Sequence, residues 1–110
     1  MLSKRKLRNN VRVTFGLSAY DGDESIYLDG AFNNWDTHAT RMTRNEDGHC
    51  AASLTLKPDC EYQFRYLINE RIWRNDPAAD GYVRNPFASE NPVVITTLAS
   101  RPKRSRTVRG

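Results

Sequence analysis

The sequence predicts an all-β domain, a sandwich of about seven to eight short antiparallel strands, and three observations carry that expectation. Apolar and polar residues alternate with period two from Val11 onward, the spacing that sends successive side chains to opposite faces of a strand. Clusters of Gly, Asp, Asn and Pro interrupt the alternation at short intervals, as hairpin turns require. No stretch of ten residues carries a helical apolar stripe.

Taken in order, Val11, Val13, Phe15 and Leu17 form the first inward row, with Arg12 and Thr14 facing out. Asp21-Gly22-Asp23 is turn chemistry, and Ile26, Leu28 and Gly30 mark a second strand. The polar segment from Ala31 to Asp36 reads as a loop. A short strand around Thr40–Thr43 is expected to bury Met42, and Asn45-Glu46-Asp47-Gly48 is the strongest hairpin signal in the chain. Cys50, Ala52, Leu54 and Leu56 then alternate inward. Beyond the Lys57-Pro58-Asp59 turn, Tyr62, Phe64, Tyr66 and Ile68 form the next inward row. Gln63, Arg65 and Leu67 must therefore take the opposite face. Ile72-Trp73 starts a further short strand, Asp76–Pro92 reads as a long irregular loop holding three prolines, and Val93–Leu98 closes the domain. About seven strands in roughly 90 residues is the density of an immunoglobulin-like β-sandwich.

Length and composition bound the function. A chain of 110 residues is one domain at the usual scale of about 100–200 residues, which excludes a multidomain enzyme. Hydrophobic residues make up 38% and charged residues 27%, the mean hydropathy is −0.74, and no run of 18 apolar residues occurs, so no membrane span is expected. The net charge of +4 is unevenly distributed. Lys4, Arg5, Lys6, Arg8 and Arg12 at one end and Arg101, Lys103, Arg104, Arg106 and Arg109 at the other carry ten positive charges. Seven bases against thirteen acids remain in 13–100.

Residues 1–10 are accordingly expected to be a basic flexible arm, 11–98 the sandwich, and 99–110 a basic disordered tail. The ends read as solvated tails, the alternatives being docking onto an acidic partner enzyme or weak nonspecific polyanion contact, the latter without base stacking because no aromatic residues interleave with the tail cations. The basic start is followed by no apolar core of a secretion signal, which points to a cytoplasmic protein. Cys50 and Cys60 read as free thiols, and with only His38 and His49 besides, no metal-ligand spacing exists. Neither a metal nor another cofactor is expected.

Trp35 and Trp73 stand outside every inward row, among polar residues. A tryptophan in a small domain is ordinarily a partly buried packing residue, but two in such company suit a sugar. The C–H face of a pyranose stacks on a flat indole, while its rim of hydroxyls asks for forked donors and for amides that both donate and accept. Arg65 and the asparagines Asn33, Asn34, Asn75 and Asn91 supply those groups.

The strings Ile26-Tyr27-Leu28-Asp29-Gly30-Ala31-Phe32-Asn33-Asn34-Trp35-Asp36, Leu54-Thr55-Leu56-Lys57-Pro58, Glu61-Tyr62-Gln63-Phe64-Arg65-Tyr66, Trp73-Arg74-Asn75-Asp76-Pro77 and Asn85-Pro86-Phe87-Ala88-Ser89-Glu90-Asn91 occur in that order. Together they resemble the family-48 carbohydrate-binding modules. These include the glycogen-binding domain of the AMP-activated protein kinase β subunit and the early-set N-terminal domains of isoamylase and glycogen branching enzymes. The resemblance spans about Val11 to Leu98. It implies noncatalytic binding of α-1,4-linked glucan, such as glycogen or starch, with Trp35 and Trp73 stacking on glucose units and Arg65 bonding hydroxyls between them. It further implies that Phe87, Ser89 and Asn91 complete the surface. A glycan-metabolising enzyme is the partner such a module would assist, and the alternative is an interaction module of the same fold that binds no sugar. Two departures stand out: Cys60 replaces a glycine of the family's turn, and Asn69-Glu70-Arg71 replaces an Asp-Gly hairpin, so a longer turn before Trp73 is expected.

No catalysis is expected. Asp29, Asp36, Asp76, Asp80 and Glu90 tempt a glycosidase assignment, but Asp76 precedes a proline and Asp80 a glycine, as turn residues do, and a chain this short builds no deep cleft. His38 and His49 read as solvated side chains, and Ser89 has no evident base.

Overall fold

The computed structural model describes residues 1–86 and 89–98. Nine strands lie within them: β1 Leu2–Lys6, β2 Val11–Ser18, β3 Ile26–Gly30, β4 Thr43–Arg44, β5 His49–Leu56, β6 Glu61–Ile68, β7 Ile72–Arg74, β8 Gly81–Arg84 and β9 Glu90–Ile95. Every strand pairing is antiparallel. One sheet has the order β1-β2-β5-β4, and the second the order β3-β6-β9-β8, with β7 also paired to β6. The expected all-β sandwich is the observed fold. No helix among the described residues is long and apolar enough to cross a membrane.

The inward rows meet between the sheets. Val11, Val13 and Phe15 of β2 pack with Leu28 of β3, Phe64, Tyr66 and Ile68 of β6, and Val94 of β9. Phe15 meets Phe64 edge-on with ring centroids 5.0 Å apart, and Phe64 meets Tyr66 at 5.7 Å, arrangements that add roughly 0.5–1.5 kcal/mol each beyond burial. Tyr66 reaches the core's rim, where its hydroxyl donates to Asp76 Oδ2 at 2.7 Å. Burial and the Asp76 carboxylate together hold that phenol far above its ordinary range. Asp76 also accepts the Ala78 amide at 2.8 Å and pairs with the Met1 ammonium, so this buried acid has its partners.

Three expectations need correction. Residues 1–10 are not a free arm throughout, because Leu2–Lys6 form β1 along the edge of β2, with Leu2 packed on the core cluster. Lys4 sits on the inward side of that edge but reaches Asp80 at 2.6 Å, so its charge is neutralised, and an inward lysine also deters edge-to-edge pairing. The segment 76–92 is not wholly irregular either. It contains β8, and β9 begins before Pro92, which Tyr82 faces across the pair. The short strand expected at Thr40–Thr43 is placed at Thr43–Arg44, although Thr40 and Met42 still bond the backbone of β3. Cys50 and Cys60 are free thiols. The expectation for 99–110 concerns residues outside those described.

Gly30 ends β3 in extended backbone, φ −173°, so its role is spatial. A Cβ there would come within 2.7 Å of both the Gln63 carbonyl oxygen and the Phe32 ring. Gly30→Ala is therefore expected to lower stability by about 1–3 kcal/mol, measured as a reduced urea midpoint; an unchanged midpoint would contradict this close approach.

Candidate functional site

On one edge of β6 the neighbouring strand changes along its length. β9 pairs with Glu61–Gln63 and β7 pairs with Tyr66–Ile68. Arg65 lies at the seam between the two, on the outward face, across from Asp29 of β3. Asn75, just past β7, spans the seam: its Oδ1 accepts from Arg65 Nε at 2.9 Å and its Nδ2 donates to the Glu90 carbonyl at 3.0 Å. This bond fixes the guanidinium plane while leaving both terminal amino groups without a protein acceptor among the described residues.

Trp35 comes from the loop after β3. A 3-10 turn at Ala31–Asn33 leaves Asn34 and Trp35 consecutively in left-handed backbone, φ 58° and 57°. Asparagine tolerates that region, but for a bulky tryptophan it costs of order 1–3 kcal/mol and persists only where the surroundings enforce it. The enforcement is visible. Asn33 Oδ1 accepts the Gly30 amide at 3.0 Å, its Nδ2 donates to the Leu28 carbonyl at 2.9 Å, and the Trp35 amide donates to the Gly30 carbonyl at 2.9 Å. Phe32 anchors the same turn, its ring centroid 5.5 Å from Phe15.

Trp73 stands on β7 opposite Leu67, and the Arg65 guanidinium carbon lies 5.8 Å from its ring centroid, within the reach of a cation–π contact. The turn before it is the longer one expected, with Asn69 and Glu70 both left-handed. Asn69 steadies it by accepting the amides of Glu24 and Ser25 and donating to the Gly22 carbonyl. On the other side of the seam Asn91 Nδ2 donates to Gln63 Oε1 at 3.0 Å, and Asn85 Nδ2 donates to Asn91 Oδ1 at 3.1 Å.

These elements enclose a shallow depression of about 240 Å³ lined by Trp35, Arg65, Trp73, Asn85, Pro86 and Asn91. Both indoles are open to solvent, Trp35 at 37% and Trp73 at 41%. Four residues singled out from sequence thus share one surface. Ser89 does not line it; its amide donates to Asn85 Oδ1 at 3.1 Å and closes the β8–β9 turn. Phe87 lies outside the described residues. Asn33 and Asn75, offered above as sugar ligands, spend their amides on the loop and on the seam. Asn85 and Pro86 were not singled out, although an Asn-Pro dipeptide is itself a turn signal. Two larger hollows, of about 390 and 580 Å³, contain no tryptophan. Among the described residues no three His, Cys, Asp or Glu side chains gather as a metal site.

No protein-family model matches the chain, and no curated protein is significantly similar to it.

Asp29 is the site's costly neighbour. It is fully buried, and neither carboxylate oxygen has a hydrogen-bond partner among the described residues. Burial raises its pKa from 3.8 to about 6, Asp36 adds repulsion, and His38 partly offsets both. Between those two values the folded chain holds a proton that the unfolded chain has released, so this group's contribution to stability falls as pH rises through about 4 to 6. Asp29→Asn is expected to remove that slope and to gain up to about 3 kcal/mol at pH 7. Urea denaturation of both proteins from pH 4 to 7 checks it; parallel pH profiles would refute the assignment.

Proposed function

We propose that this domain docks noncatalytically on α-1,4-linked glucan, of the glycogen or starch kind, through Trp35, Trp73 and Arg65. The observation that carries the proposal is the sharing of one shallow depression by two solvent-open indoles and a guanidinium. Flat plates bind the C–H face of glucose at little entropic cost. The free amino groups of Arg65, held in plane by Asn75, suit hydroxyls that accept. The strained backbone at Trp35 fits a ring held ready before the ligand arrives.

The depression touches only a few sugar units, and water competes for every hydroxyl, so affinity for short chains is on the order of micromolar to millimolar. A polymer that repeats the epitope compensates by offering many copies, and retention grows if the domain is tethered or paired.

Titration with maltoheptaose, followed by tryptophan fluorescence, is expected to give a saturable change. Trp35→Ala and Trp73→Ala should each weaken binding by roughly tenfold or more, equivalent to about 1.4 kcal/mol, with the thermal midpoint retained. Arg65→Ala should weaken it without abolishing the spectral response. Absence of any response at millimolar sugar would overturn the proposal and leave the two indoles as a protein-contact surface.

A further inference from the structure

The four strands of the β1-β2-β5-β4 sheet contain no aspartate or glutamate, although the chain has thirteen. The outward face of this sheet is the far side of the sandwich from Trp35 and Trp73. Arg5 of β1 and Arg12 of β2 are direct cross-strand partners on it, and both are exposed. Like charges placed opposite one another destabilise a sheet. The ion pairs among the described residues use Met1, Lys4, His38 and Arg74, so neither arginine is neutralised by an acid there. Folding alone gives no reason for the juxtaposition, whereas an anion lying across both guanidinium forks turns the repulsion into a paired site.

The surroundings extend the same chemistry. Thr55 follows Arg12 in the cross-strand row, and Ser3, Thr14 and Ser53 form the next row, with Thr14 and Ser53 hydroxyls 2.8 Å apart. Lys57 directly follows β5, and Arg8 lies in the β1–β2 turn. The only aromatic residue in the four strands is Phe15, and it is buried in the core. A protein partner would therefore find no Trp or Tyr anchor to desolvate, and unpaired bases would find no ring to stack on. Arginines and hydroxyls on a surface without rings are the donors that hold a phosphodiester backbone without reading its sequence.

We infer that this face binds the phosphate backbone of duplex nucleic acid, independently of sequence and of the indole surface. The test measures fluorescence anisotropy of a labelled DNA duplex of about twenty base pairs against full-length protein over a range of salt concentrations. R5S/R12S is expected to lower affinity roughly tenfold at low salt and to reduce the steepness of log K against log salt by about 1.8, at 0.9 for each lost contact. Its thermal midpoint should be unchanged or raised, since a repulsion is removed. The same difference should persist in a full-length background carrying R101S, K103S, R104S, R106S and R109S, which separates the sheet from the tail. An R5S/R12S slope equal to wild type, or a difference that disappears once the tail cations are gone, overturns the inference. So does polyglutamate displacing the duplex at a lower charge concentration than unlabelled duplex, because the face would then belong to an acidic protein segment.

Discussion

The edge of β6 is shared by two short strands, and the indole surface follows from that division. β9 takes the first three residues and β7 the last three, so the backbone between them must be spanned by side chains. Asn75 spans it, and in doing so it ties Arg65, β7 and the start of β9 into one unit. Trp73 then stands on one flank of the seam and the Asn85–Asn91 pair on the other. A guanidinium bonded through Nε has lost most of its rotamer freedom before any ligand arrives, and preorganisation of this kind is what makes a shallow site useful.

Trp35 reaches the same surface by a different route, from the far edge strand. Its loop is held from below by Phe32, packed against the core, and from within by Asn33. The Phe-Asn pair is thus structural, and the ring it presents is the exposed part. Asp29 belongs to the same outward face, directly across from Arg65, yet the fold leaves it buried and without a hydrogen-bond partner among the described residues. Burying a carboxyl without partners is among the more expensive things a small domain does, and here the cost falls beside the loop that carries Trp35.

Strand alternation alone placed Arg65 outward and Tyr62, Phe64, Tyr66 and Ile68 inward, because period two leaves no other choice once one face is apolar. The two tryptophans were conspicuous for standing outside that pattern. β1 was invisible for the converse reason: Leu2, Lys4 and Lys6 occupy the inward positions, and an inward lysine that reaches Asp80 from 76 residues away in the chain breaks the pattern. β8 was hidden by the prolines around it. The duties of Asn33 and Asn75 were equally illegible, since an amide's partners depend on which strands meet and not on its neighbours in sequence.

The recovery of β1 changes what the charge distribution means. A body with seven bases and thirteen acids in 13–100 looks acidic when the first twelve residues are set aside as an arm. Once Leu2–Lys6 is a strand, its cations belong to a rigid surface, and the acids stand in the other sheet and in the turns. A sandwich permits this separation because its two outward faces are divided by the apolar core cluster, while polar contacts between its halves, such as Lys4 to Asp80, are partly exposed. The proposed indole surface and the proposed arginine face share no residue, so a ligand on one would not displace a ligand on the other by direct contact.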